Sequence, residues 1–293
     1  MVALHCLPSG TANTGRLAAH LGLPSQEIAI HRFPDGEIRV TVGSAAPTSI
    51  IHASLDQPND KLIAILFAAE ALRRGGAKRL VLLAPYLCYM RQDAAFHPGE
   101  AISQHAIGRL IAGTFDRVIT VDAHLHRTSD IKTVFPGIAA DNLSAMPAIA
   151  GALAGIDGAT VVAGPDAESR PWVSDLATRL GLAYAVGRKT RRGDRSVEID
   201  FAGQTAVTAR PVLLVDDIVS SGGTLITCAR ALKESGATTI DAVITHALFP
   251  PGMVEEFAHA GIRSIRSTSS VAHPTNAIPL NAVLAAALRN ELT

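Results

Sequence analysis

Six short runs dominated by Val, Ile and Leu recur along the chain, with segments of helical spacing between them. The runs are SIIHASL (49–55), RLVLLAPYL (79–87), RVITVDAH (117–124), TVVAGPD (160–166), PVLLVDD (211–217) and TIDAVITHALF (239–249). Nearly unbroken apolarity over so few residues suits strands covered on both faces, which is the condition of a parallel sheet. The intervening segments read as amphipathic helices. One of them, NDKLIAILFAAEALRRGGA, is expected to begin at an Asn59 cap and to stop at Gly75-Gly76. Strand and helix therefore alternate, and the predicted class is α/β. With 293 residues, the chain is long enough for two domains. The Gly/Ala-rich stretch GALAGIDGA (151–159) marks the expected boundary, giving domains over 1–148 and 149–293.

Composition narrows the partners. Lys+Arg 26 balances Asp+Glu 26, so no net charge favours nucleic acid or an anionic membrane, and a phosphate ligand needs a local site. Cys6, Cys88 and Cys228 are far apart and form no C-x-x-C pair, which fits a reducing compartment. No leader pattern or bilayer-length apolar run is present, so a cytoplasmic location is expected.

Polar groups collect at the predicted strand ends: Asp122 and His124, then Asp166, then Asp216 and Asp217. Ligands of open α/β sheets bind beyond the carboxyl ends of the strands, although an acid there also commonly serves only as a helix cap. The stretch VLLVDDIVSSGGT (212–224) is the most informative. Its Gly222 and Gly223, between a strand and a helix, offer backbone N–H groups and a positive helix end to an anion, and Ser220, Ser221 and Thr224 add hydroxyls. Asp216 and Asp217 would repel a phosphate that they faced. They suit vicinal sugar hydroxyls or a metal ion beside it, so a sugar phosphate satisfies both halves.

The stretch resembles the phosphoribosyl-binding motif of the phosphoribosyltransferase fold, in which adjacent acids hold ribose hydroxyls and the loop holds the 5-phosphate. Further motifs, FPDGE (33–37), QPND (57–60), YMRQD (89–93), VDAH (121–124) and ADNL (140–143), occur in the order seen in ribose-phosphate pyrophosphokinases. The resemblance covers nearly the whole chain. It implies two similar phosphoribosyltransferase-type domains, each a mainly parallel sheet flanked by helices, with the site between them. It also implies transfer of the diphosphoryl group of ATP to ribose 5-phosphate with Mg²⁺, and a homo-oligomer of at least two subunits.

Carried over by position, the resemblance assigns Phe33 to adenine stacking, Asp35 and Glu37 to the polar edge of the base, and Arg91, Gln92 and Asp93 to the nucleotide. His124 matches a magnesium-associated histidine that also meets ATP, and Asp166 matches the acid that opens a pyrophosphate-facing loop. Asp216, Asp217, Ser220, Ser221, Gly222, Gly223 and Thr224 match the ribose 5-phosphate site. GRKTRRGDRSVEI (187–199), which composition alone reads as a solvated basic loop, matches the mobile catalytic loop, with Lys189 and Arg191 as its cations. FPDGE by itself would also make an ordinary Pro-Asp-Gly turn, and His126 reads as a nearby polar loop residue. The chain departs from the family in GPDAESR (164–170), where Glu168 adds an acid near the expected anion and Arg170 can offset it. A phosphoribosyltransferase and a catalytically silent regulatory member are the alternatives.

Overall fold

The computed structural model of the protein describes all residues except 126, 129, 193–195, 202–205 and 293, and leaves the side chains of 189–192 and 196–198 undescribed. The chain divides into two compact units. In the first, β1 (Val2–Cys6) and β2 (Ser25–Glu27) are followed by a hairpin of β3 (Ala29–Arg32) and β4 (Ile38–Thr41), and then by β5 (Thr48–His52), β6 (Arg79–Ala84), β7 (Arg117–Val121) and β8 (Ala139–Leu143). The main sheet has the order β2-β1-β5-β6-β7-β8 and is parallel throughout. Parallel neighbours need crossovers. Helices α1 (Thr11–Leu21), α2 (Pro58–Arg74) and α3 (Ser103–Ala112) supply them. Leu80, Leu82 and Val118 of the sheet pack with Ile65 and Leu72 of α2 and Ile111 of α3 in one core.

The second unit repeats the plan. Helix α4 (Met146–Ala152) and strand β9 (Val161–Gly164) are followed by α5 (Arg170–Leu180) and β10 (Ala183–Val186), then by a hairpin of β11 (Arg188–Arg192) and β12 (Ser196–Asp200). Then come β13 (Pro211–Val219), α6 (Gly223–Glu234), β14 (Thr239–Ala247), α7 (Met253–His259), β15 (Ile262–Thr268), β16 (Asn276–Ile278) and α8 (Asn281–Leu292). The order β10-β9-β13-β14-β15-β16 is again parallel. Val212, Leu214, Ile240 and Ala242 pack with Leu225, Cys228 and Phe257. The repeat extends to α1 and α5, each 11 residues long and closed by a left-handed glycine, Gly22 or Gly181.

Three expectations change. First, the division is not a single cut at 148/149. Residues 145–269 and 273–280 form one unit, and 1–144, 270–272 and 281–293 form the other. Each repeat thus gives its final helix to the other unit: α4 packs with α5, and α8 packs with α1. Helix α8 buries Leu284, Ala285 and Leu288, and its Glu291 is held by arginines of the first sheet. Second, α2 starts one residue before Asn59. Gln57, at φ 47, turns the chain, and Pro58 occupies the first turn, where its missing N–H costs nothing. Third, the backbone of the 187–199 segment is largely a β-hairpin with Lys189 opposite Ile199 and Arg191 opposite Val197. The β-branched residues Thr190, Val197 and Ile199 favour that state.

Candidate functional site

In the second unit the residues expected to meet a sugar phosphate stand at the carboxyl end of β13. This strand runs two residues beyond the predicted end, so Asp216 and Asp217 lie within it, at 8% and 5% exposure. The Asp217 N–H donates to Asp216 Oδ1 at 3.1 Å. Burial, reinforced by the charges of Asp217 and Asp166, holds the Asp216 carboxyl well above the usual carboxylate range. Ser220 and Ser221 then lead into α6, whose N-cap is Gly222. Gly222 has φ 77, and a Cβ there would lie 2.7 Å from Phe257 Cε1, so only glycine closes this turn. No side chain caps the helix and its first turn holds no acid, which leaves the N–H groups around Gly223 and Thr224 directed at an incoming anion.

Asp166 follows β9 and caps a single 3-10 turn (Ala167–Ser169). Its Oδ1 accepts from Glu168 N at 3.1 Å, and its carbonyl accepts from Ser169 Oγ at 2.6 Å. The bland reading, an acid that begins a helix, is therefore fulfilled. The same carboxylate nevertheless raises both Asp216 and the buried Cys228 through its charge, so it belongs to the acid group. Glu168 and Arg170 are exposed. Gly187 N–H donates to Gly164 O at 2.9 Å, and a Cβ on Gly187 would come within 2.5 Å of Pro165 O. This close approach roots the β11–β12 hairpin beside the Asp166 turn. The side chains of Lys189 and Arg191 lie outside the described residues, as does His126.

In the first unit FPDGE forms the tip of the β3–β4 hairpin. Phe33 N–H donates to Glu37 O at 2.8 Å, Gly36 N–H to Phe33 O at 3.0 Å, and Glu37 N–H to Asp35 Oδ1 at 3.1 Å. The Asp35 carboxylate thus shapes the turn, as the composition allowed. Phe33 is left 38% exposed, edge-on to His31 at 4.8 Å.

Arg91, Gln92 and Asp93 differ in what they meet. Arg91 is exposed and reaches the Tyr86 phenol. Gln92 accepts from the start of α3, through its carbonyl from Gln104 N at 3.2 Å and through Oε1 from Ser103 Oγ at 3.3 Å. Asp93, with a side chain only 1% exposed, accepts from Arg127 twice, from the backbone N–H at 2.9 Å and from Nη1 at 2.8 Å. Its carboxylate is engaged by Arg127 and does not present itself to a ligand. That loop leaves β7 through Asp122 at φ 38 and is pinned by Ala123 N–H donating to Asn142 Oδ1 at 2.8 Å. Half-buried His124 follows immediately.

Arg127, Asn142 and the buried Gln104, which links Met90 O (3.2 Å) to Thr128 (3.0 Å), are supports that sequence reasoning missed. Asn142 lay within the noted ADNL, whereas Arg127 and Gln104 carried no local signal. The structure gathers Arg91, Gln92 and Asp93 with the His124 loop in one unit, and Asp166 with Asp216, Asp217 and the glycine loop in the other.

A duplicated parallel-sheet scaffold, with a diacid strand that feeds an uncapped glycine loop, defines a phosphoribosyltransferase-type α/β protein. Residues 6–114 match the N-terminal domain of ribose phosphate pyrophosphokinase, and residues 140–276 match the phosphoribosyl transferase domain. The ribose-phosphate pyrophosphokinase of Methanopyrus kandleri is 32% identical over 281 residues, covering 94% of each chain. That of Rhizobium meliloti is 34% identical over 280 residues, covering 91% of this chain and 87% of its own. The crystal structure of phosphoribosylpyrophosphate synthetase from Mycobacterium smegmatis superposes with a TM-score of 0.86 over 99% of this chain and 98% of its own, at 24% identity, which establishes the shared fold. The chain belongs to the ribose-phosphate pyrophosphokinase family and is an enzyme of that class.

Proposed function

We propose that the protein transfers the diphosphoryl group of ATP to the 1-hydroxyl of ribose 5-phosphate, giving phosphoribosyl diphosphate and AMP. The observation that carries this reading is the buried Asp216–Asp217 pair followed by the uncapped Gly222 loop, on the same chain as the exposed Phe33 hairpin. The carboxylates accept from the ribose hydroxyls, and the loop N–H groups with Ser220, Ser221 and Thr224 hold the 5-phosphate. Phe33 stacks on adenine, with Glu37 and Arg91 toward the nucleotide, while Gln92 and Asp93 act from behind by setting α3 and the His124 loop. The ribose oxygen attacks the β-phosphorus and AMP leaves, so the protein contributes alignment and charge neutralisation and forms no covalent intermediate. Lys189 and Arg191, on the basic hairpin rooted at the Asp166 turn, neutralise the transferring group.

The donor set fits Mg²⁺. Asp216 is a buried acid whose carboxyl is raised by burial and by the charges of Asp217 and Asp166, and a hard divalent ion with oxygen ligands relieves that arrangement. An ion that accompanies ATP commonly takes only one or two protein ligands and otherwise substrate oxygens, and the family resemblance offers Asp166 in the second unit and His124 in the first as candidates. Bound there, Mg²⁺ would offset polyphosphate charge. No described helix is long and apolar enough to cross a membrane, and a cytoplasmic location and a homo-oligomer of at least two subunits belong to the same reading.

The decisive experiment incubates the protein with ATP, Mg²⁺ and ribose 5-phosphate and follows products by phosphorus NMR. AMP and a diphosphorylated pentose are expected only when all three are present. ADP as the main nucleotide product would refute attack at the β-phosphorus, and base-dependent consumption of phosphoribosyl diphosphate would point to a phosphoribosyltransferase.

A further inference from the structure

Strand order and register allow the two units to be compared place by place. In the first, Arg79 opens β6 and Arg117 opens β7 opposite Val81. The last turn of α8 sets Glu291 between them. Its Oε2 accepts from Arg79 Nε at 2.6 Å, and its Oε1 accepts from Arg79 Nη2 at 2.8 Å and Arg117 Nη1 at 2.9 Å. The Glu291 side chain is only 4% exposed, so this edge of the sheet is closed by a carboxylate gripped between two guanidiniums.

In the second unit Thr239 opens β14, and Asp241 stands opposite Ser264 of β15, on the corresponding edge. The helix in the place of α8 is α4, with 7 residues against 12. After Ala152 the chain turns away. Asp157 holds that turn, its carboxylate accepting from Ala159 N at 2.8 Å and its carbonyl from Thr160 N at 2.9 Å. Where α8 seals the first unit, a cleft of about 610 Å³ is left open, walled by the 152–157 turn, Thr238, Thr239, Asp241, Arg263 and Arg266. It lies at the amino ends of β13 and β14, the opposite edge from Asp216 and the glycine loop.

The charged groups of the cleft are unequally matched. Arg263, bulged out of the β14–β15 ladder, turns onto Asp241 and donates through Nε at 3.1 Å and through Nη2, while Ser264 Oγ adds a third bond at 2.6 Å. Asp241 is thereby satisfied, and Asp157 is occupied with its own turn. Arg266 is half-buried and makes no ion pair or hydrogen bond among the described residues; the charge it meets is that of the already matched Asp241. A half-buried guanidinium whose charged neighbour is already hydrogen-bonded elsewhere keeps its own donors to spare, and its planar fork suits carboxylate or phosphate oxygens.

We propose that this cleft binds a small anion, the carboxylate or phosphate group of a metabolite, held by Arg266 with the hydroxyls of Thr238 and Thr239 beside it. A bound anion gives Arg266 the kind of charge-assisted partner that Glu291, a side chain of the protein itself, gives Arg79 and Arg117 in the first unit. The site stands on the geometry of the second unit alone and does not depend on the proposed reaction.

The test uses full-length protein labelled with ¹⁵N-arginine, the Arg266 Nε–Hε resonance being assigned by its loss in Arg266→Met or, should that variant not fold, by its loss in Arg266→Lys. Inorganic phosphate and citrate are titrated separately, with chloride at matched ionic strength as control. A saturable shift at millimolar concentration or below with either anion supports the site. Phosphate alone identifies the phosphate class, and citrate alone the carboxylate class. Thr239→Arg, which puts a second guanidinium at the register position that Arg79 has in the first unit, should tighten binding about tenfold. No saturable shift with either anion, a shift reproduced by chloride, or unchanged affinity in Thr239→Arg would overturn the proposal.

Discussion

The two units place different chemistry on the same scaffold at the same station, the end of the third strand in the sheet order. In the first unit β5 ends in His52, a buried base. Burial pushes its pKa down to about 4, and its Nδ1 lies 2.9 Å from Thr14 Oγ1. Thr14 gives its own hydrogen to Gly10 O at 2.9 Å, so the imidazole donates from Nδ1 as a neutral ring. In the second unit β13 carries Asp216 and Asp217 into an uncapped glycine loop, and burial drives the Asp216 carboxyl up. One strand end is internally satisfied and serves stability. The other crowds acids together in low dielectric, an arrangement that costs stability. The hairpins inserted after the second strand of each sheet diverge in the same way, one tipped by an exposed aromatic ring and the other rich in cations.

The contrast between the hairpins yields the largest expected effect. Lys189→Ala should lower turnover by at least about a hundredfold with little change in ligand affinity, the pattern of a cation engaged in the transition state. Steady-state kinetics beside Arg195→Ala, a control in the same segment, decides the matter, because near-normal turnover in both would remove the electrostatic role of the hairpin.

Asp216→Asn sharpens the contrast between strand ends. Sugar-phosphate affinity should fall by about tenfold or more, with ATP affinity much less affected, since an amide replaces only part of an acceptor's function. The ligand-free variant should also melt higher than the parent at neutral pH. The raised carboxyl favours the folded state only while protonated, so its contribution is lost as pH rises from the ordinary carboxylate range toward the elevated value. Equal loss for both ligands in titration calorimetry, or an unchanged melting point, would contradict the paired assignment.

Phe33→Ala should raise KM for ATP by about tenfold, in line with the loss of one stacked base. The melting temperature should stay unchanged, because the ring is already 38% exposed. A drop in melting temperature without a KM effect would make the ring structural.

The smallest effect belongs to His52. Its folded pKa lies below the ordinary value of 6.5, so its stabilisation is complete above that value and fades as pH falls toward about 4. Denaturant unfolding at pH 7 and pH 5.5 should differ by about 1 kcal/mol through this residue. His52→Gln should show a correspondingly flatter dependence, and an equal slope in both proteins would show that the imidazole is not neutral in the folded state.

Local pattern in the sequence was enough for the repeating strand and helix order, since unbroken apolar runs and 3.6-residue spacing arise from each element's own neighbours. It was also enough for the acid pair, the glycine loop and the hairpin tip, whose chemistry is carried by adjacent residues. Only the tertiary structure decided that Asp93 faces Arg127, 34 positions away, and that Glu291 closes the sheet edge at Arg79, 212 positions away. The same holds for the exchange of α4 and α8 between the units and for the cleft at Arg266. An ion pair across such separations leaves no period in the sequence. It is chosen when packing fixes which buried charge has a partner within reach and which does not.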